Sequence, residues 1–485
     1  VSTELRSVRR SSTVPARGEI KALTGLRAVA ATWVVLYHFQ SQLWPMTDQV
    51  PGLTPVINAG WTGVELFFVL SGFVIARSYL DECGSRWSTR GAARFLFNRF
   101  ARVWPAYAVV TLLAASCIAA AQLAGLRTDV VGPHPRLDVW ELVQQLTMTQ
   151  MWDRDTLVGS SWLTPGWSIS AEWLAYIFFP VLALLIRPLR RLHPTVTLSL
   201  AVAVMAPLFL RSFQEGPHDT ATSWVLRIAG GFVAGILVSM VASRLEEGER
   251  RESWGLFFAL VSVVSIAAVC LWNTWRRAAD PAVDYAGVVT VVYPFLVLGL
   301  ALTRRGPARL LAKGPLVYGG RISYCLYLTH YVVKEVALTV VWQRPDQIGV
   351  LTPGLVLTVP ALLLLSGVLA AALHHGVEEP ARRLLVGWWK RYAGEAASRP
   401  ERGREPGVAV IRAVEPAERM LPRVPREPRT ERLVMGDRAV QAVPVRRVSG
   451  DTVGEPWTRA MTVVPREPAG RGRHGSAAVP VGRRS

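Results

Sequence analysis

The stretch Asn58–Ala76, NAGWTGVELFFVLSGFVIA, carries one ionisable side chain, Glu65, in nineteen residues. A helix needs about 20 mostly apolar residues to cross the hydrocarbon core of a bilayer, and this run supplies them. Nine further runs of the same character begin near Ala22, Trp104, Gly166, Thr195, Thr222, Trp254, Asp284, Pro315 and Thr352. The composition agrees: 51% of the 485 residues are hydrophobic, 18% are charged, and the mean hydropathy is +0.28. That is too apolar for a soluble chain of this length. The sequence predicts an all-α, polytopic membrane protein of about ten transmembrane helices.

A formal charge of +19 does not point to nucleic acid, because the basic residues sit in short loops and in the tail rather than along one amphipathic surface. They report topology instead. Arg6, Arg9, Arg10, Arg17 and Lys21 precede the first run, and Arg77, Arg86, Arg90, Arg94, Arg99 and Arg102 follow the second. Arg187, Arg190 and Arg191, then Arg244, Arg250 and Arg251, then Arg304, Arg305, Arg309 and Lys313 follow later even-numbered runs. Cytoplasmic loops retain such residues. No basic residue occurs from Leu43 to Ile57, and Arg127, Arg136 and Arg154 are mixed with acids, so those loops are read as external. Arg276 and Arg277 alone run against the rule. Both termini are therefore expected in the cytoplasm, with the chain in the plasma membrane.

Three regions follow: a cytoplasmic arm over 1–21, a membrane domain over 22–393, and a basic tail over 394–485. The arm is polar with no signal-peptide core, so the first span is expected to act as the targeting signal. After Tyr392 the chain turns to Arg, Glu, Pro, Gly and Val, and VPREP at Val424–Pro428 recurs at Val464–Pro468. That composition predicts disorder. Cys83, Cys117, Cys270 and Cys325 are far apart, so neither a disulfide framework nor a metal site of the C-x-x-C kind is expected.

Ionisable groups within apolar spans are costly and usually face a cavity or a partner, which makes them the functional candidates. Arg27 and His38 are eleven residues apart, close to three turns, and so share a face of the first span. Glu65 falls in the outer half of the second. Ser168, Glu172 and Tyr176 form an i, i+4, i+8 stripe in the fourth, and Ser323, Tyr327 and His330 an i, i+4, i+7 stripe in the ninth. Four helices are thus expected to aim polar groups at one depth. Arg94, Arg99 and Arg102 add a basic cluster at the inner mouth of the third.

In these motifs the sequence resembles the acyltransferase-3 family of bacterial membrane O-acyltransferases. Leu23-Thr24-Gly25-Leu26-Arg27 leading to His38 resembles the family's opening signature, and Gly63 to Phe73 its G-V-D-x-F-F-V-x-S-G-F run, with Glu65 in place of aspartate. Arg94-Phe95 through Arg99, Arg102 and Pro105, Trp167 to Glu172, and Ile322-Ser323-Tyr324 to His330 resemble three further elements, and Glu379-Pro380 with Arg382 is similar to the closing E-x-P region. The resemblance implies transfer of an acyl group, usually acetyl, from cytoplasmic acyl-CoA to a hydroxyl of a carbohydrate, glycolipid or glycosylated small molecule, without a metal. On that reading Arg27, Arg94, Arg99 and Arg102 hold the CoA phosphates. His38 is the general base, Glu172 orients it, Ser168 supports it, and Glu65 and His330 complete the catalytic set. The rival from another class is a transporter or flippase, which would also need polar groups inside its spans.

Overall fold

The computed structural model describes residues 18–214, 223–280 and 285–394. The arm up to Arg17 and the tail beyond Gly394 lie outside the described residues. Within them all regular structure is helical. Among the described residues seven helices are long and apolar enough to cross a membrane: Leu53–Ser85, Thr89–Leu123, Gly166–Arg191, Pro194–Arg211, Ser223–Ala242, Glu249–Arg277 and Pro353–Tyr392. The chain is a multi-pass membrane protein.

The other three expected spans depart from that pattern. The first is broken: Lys21–His38 and Gln40–Thr47 meet at a bend of 90°. The eighth is a short apolar helix, Ala286–Leu302. The ninth, Gly314–Val341, has 28 residues but falls outside the apolar set. The reason is in its sequence, which places Arg321, Ser323, Tyr324, Tyr327, His330, Lys334 and Glu335 on one helix. Polar side chains are tolerated at that density when they face protein rather than lipid, and Ser323, Tyr327, His330 and Glu335 are buried. Against the expectation of about ten spans, the described residues hold seven helices that are long and apolar enough, or eight if the bent pair counts as one span.

Glycines fix how the helices meet. A Cβ on Gly320 would lie 1.8 Å from the Thr24 carbonyl oxygen, so the first helix and Gly314–Val341 touch backbone to backbone. Thr24 faces Gly320 and His38 faces His330. The contact advances in the same direction along both chains, and the two helices run parallel. Likewise a Cβ on Gly72 would lie 2.0 Å from the Phe232 carbonyl oxygen, and one on Gly235 2.1 Å from that of Val69. Small residues allow this closeness where apolar burial gives no drive to associate.

Candidate active site

His38 is the last residue of its helix, just before the bend. Its Nδ1 lies 2.9 Å from Nε2 of His330, with ring centroids 5.0 Å apart. On its other side His330 sets Nδ1 3.0 Å from the Leu326 carbonyl oxygen. A carbonyl only accepts, so neutral His330 carries its proton on Nδ1 and presents a bare Nε2. Neutral His38 then donates from Nδ1, which leaves its own Nε2 unprotonated. One backbone carbonyl thus sets both tautomers.

Three cavities lead to this pair, each sharing lining residues with the next. The first, about 330 Å³, is lined by Glu19, Thr24, Arg27, Arg77, Arg102 and Arg321 among others. The second is a constriction of about 60 Å³ between Arg27, Phe67, Ser168, Glu172, Ser323, Tyr324 and Tyr327. The third, about 340 Å³, holds His38, Trp61, Trp167, Arg227, Tyr331 and Lys334. Arg27 belongs to the first two, and Val64 and Tyr327 to the last two. Arg27 and Tyr327 therefore stand between an arginine-rich chamber and the cavity that holds His38.

Of the four arginines expected at the mouth, Arg27 and Arg102 line the chamber. Arg94 is 60% exposed and lies 3.6 Å from Glu82, while the guanidinium of Arg99 sits 5.5 Å from the Tyr79 ring centre. Arg77 and Arg321 take their places in the lining. Arg102 pairs with fully buried Glu378. The same carboxylate accepts from the Cys325 thiol at 3.1 Å and from Nδ1 of His374 at 2.7 Å. Glu378 ends a widened π turn, His374–Glu378, a local feature that often marks functional positions. Glu379, next to the proline in the segment similar to the E-x-P region, pairs outward with Arg383. The spacing Glu378-Glu379-Pro380 was the available signal: the buried acid stands two residues before the proline. Cys325, His374 and Glu378 bring one ligand atom each within 4.8 Å of one another, with the Arg102 guanidinium as the carboxylate's counter-charge.

The remaining acids are held by partners other than His38. Glu172 Oε1 accepts from the Tyr176 hydroxyl at 2.5 Å, and the side chain within hydrogen-bond distance of His38 is His330. Ser168 exchanges a hydrogen bond of 2.8 Å with the Tyr327 hydroxyl and donates to the Pro165 carbonyl at 3.0 Å. Glu65 is fully buried and accepts from Nε of Arg227. That guanidinium lies 4.4 Å from the Trp167 ring centre and 5.5 Å from that of Trp61. Arg227 was missed by the sequence reading because it stands alone at the start of an apolar run.

The loop after Thr89–Leu123 is tied to the helix Gly314–Val341 by His134, whose Nε2 lies 2.5 Å from Glu335 Oε1. Burial alone would lower the affinity of this imidazole for a proton, but the Glu335 carboxylate outweighs it and His134 is held above the ordinary histidine value.

The apolar helices thus enclose polar cavities, one lined by arginines and another holding His38 of the histidine pair. The chain belongs to the acyltransferase-3 family, whose acyltransferase domain matches residues 20–375. It is 28% identical over 391 residues to acyltransferase MdmB of Streptomyces mycarofaciens, an alignment covering 76% of this chain and 92% of that one. It is 20% identical over 324 residues to the putative O-acetyltransferase SACOL0978 of Staphylococcus aureus strain COL, covering 65% of this chain and 50% of the relative. Protein 2 in the picA locus of Rhizobium radiobacter is 32% identical over 155 residues, 31% of this chain and 75% of that one. No solved structure matches significantly. The chain is an acyltransferase.

Proposed function

We propose that the chain is an integral membrane O-acyltransferase that takes an acyl group from acyl-CoA at the arginine chamber. It delivers that group to a hydroxyl of a carbohydrate, glycolipid or glycosylated small molecule entering from the His38 side. Relatives named as putative O-acetyltransferases support acetyl as the group and oxygen as the acceptor atom. The observation that carries the reading is the run of three cavities joining Arg27 to His38.

In this scheme Arg27, Arg77, Arg102 and Arg321 hold the CoA phosphates by charge-assisted hydrogen bonds, with Glu378 fixing Arg102. Positive charge at this end also fits a cytoplasmic face, where basic loops are retained and CoA thioesters are made. The narrow middle cavity admits the thioester arm, and the Ser168–Tyr327 hydroxyl pair faces its carbonyl. His38 Nε2 removes the proton from the acceptor hydroxyl as the oxygen attacks the carbonyl carbon. The C–O bond forms, the C–S bond breaks, and the proton passes from His38 to the departing sulfur, giving free CoA thiol. His330 positions His38 throughout. Glu172 holds Tyr176, and Glu65 acts through Arg227 to shape the acceptor wall.

The experiment is acyl transfer in proteoliposomes with His38→Ala protein that inserts and unfolds like the wild type. Loss of CoA thiol release and of the acylated product is expected, and full activity would sink the assignment. Thiol release also separates this reading from a transporter, which consumes no thioester.

A further inference from the structure

The third cavity has a charge imbalance that the proposed reaction does not use. Its two cations differ in their surroundings. Arg227 is matched by Glu65. Lys334, one turn beyond His330, forms no ion pair or hydrogen bond among the described residues; its Nζ lies 5.5 Å from the Tyr331 ring centre. The neighbouring acid, Glu335, points to another face of the helix. It is engaged by His134 and lines a separate apolar cavity against the helix Thr89–Leu123. No carboxylate lines the cavity that holds His38 and Lys334. The one carboxylate that acts on Lys334, Glu335, is shared with His134 and lies outside the cavity; a half-buried ammonium so weakly balanced is costly, and next to a base that turns positive during turnover the cost rises further.

We propose that the His38 end is an anion-binding subsite, and that the natural acceptor carries a carboxylate or phosphate near the hydroxyl that is acylated. The inference rests on the acyl-transfer reading of the same site and names its substrate class. Trp61, Trp167 and Tyr331 give aromatic faces on which a sugar ring packs, and Lys334 holds the anion one turn from His330. The bound anion balances Lys334 and thereby favours the imidazolium that forms on His38, so that the base is strongest when the right acceptor is present. An amino sugar, itself cationic, is disfavoured by the same charge.

The test uses the purified full chain in detergent, with binding read from ligand-dependent thermal shifts for glucuronate, glucose 6-phosphate, glucose and glucosamine. Wild type is expected to bind the two anionic sugars about 10- to 100-fold more tightly than glucose, the worth of one charge-assisted hydrogen bond, and glucosamine most weakly. The stronger of the two anions tells whether a carboxylate or a phosphate is the native group. Lys334→Met should abolish the preference and Lys334→Arg should retain it. Equal binding of all four sugars by wild type, or an undiminished preference in K334M, overturns the subsite. Because binding is the readout, loss of thiol release in a parallel assay would count against the acyl-transfer reading alone.

Discussion

Replacing Arg227 by Met isolates a buried ion pair of the bundle. Glu65 is fully buried and Arg227 is its cation, so the substitution leaves a carboxylate without a counter-charge inside the membrane domain. The cost is bounded by what the side chain does to escape. Taking up a proton at pH 7, from an ordinary glutamate value near 4.3, costs about 4 kcal/mol. Loss of the guanidinium from the faces of Trp167 and Trp61 adds about 1 kcal/mol. The sum agrees with the roughly 3–5 kcal/mol seen when one partner of a buried pair is removed, a large part of a total stability of about 5–15 kcal/mol. Removing both charges, in E65L/R227M, should recover most of the loss, since apolar replacement of a buried pair is often neutral. Thermal unfolding can be followed with a thiol-reactive fluorophore, because Cys83, Cys270 and Cys325 are buried. An R227M protein that unfolds with the wild type, or a double variant no more stable than R227M, would refute the reasoning.

Three further outcomes are expected. Gly235→Ala puts a Cβ 2.1 Å from the Val69 carbonyl oxygen; the helices must part, and a loss of at least about 1–3 kcal/mol should appear as a lower unfolding temperature. Glu378→Gln removes the charge that holds Arg102, so the KM for acyl-CoA should rise about tenfold, the worth of one charged hydrogen bond, with acceptor KM little changed in the same assay. His134 gains its proton affinity from Glu335, so its contribution is complete below the free-imidazole value of about 6.5 and is lost as pH rises through the higher folded value. Unfolding temperature should therefore fall between about pH 6 and pH 8 more steeply in wild type than in His134→Gln.

The helices were legible in the sequence because twenty apolar residues have few uses other than spanning. Where the reading went astray, local composition ceased to describe the environment. Gly314–Val341 is polar because its neighbours are protein, and the bend after His38 leaves no mark in hydropathy. For the site, helical spacing put Arg27 and His38 on one path and Ser168 beside Glu172. Spacing within a helix says nothing about partners on other helices. The His38–His330 contact spans 292 positions and Arg227–Glu65 spans 162, and both came only from the fold. Glu378 differs from these, since its distance from Pro380 is readable in the sequence.

The proposed transfer has a direction: donor at the arginine chamber, acceptor at His38, and the acyl group passing between them at Arg27 and Tyr327. The direct measurement is acyl transfer in vesicles with the protein in one known orientation and acetyl-CoA confined to one compartment. The acylated product should form only when acetyl-CoA is on the side of Arg77 and Arg321 and the acceptor is on the side of Lys334. Transfer with both substrates restricted to a single side would contradict it.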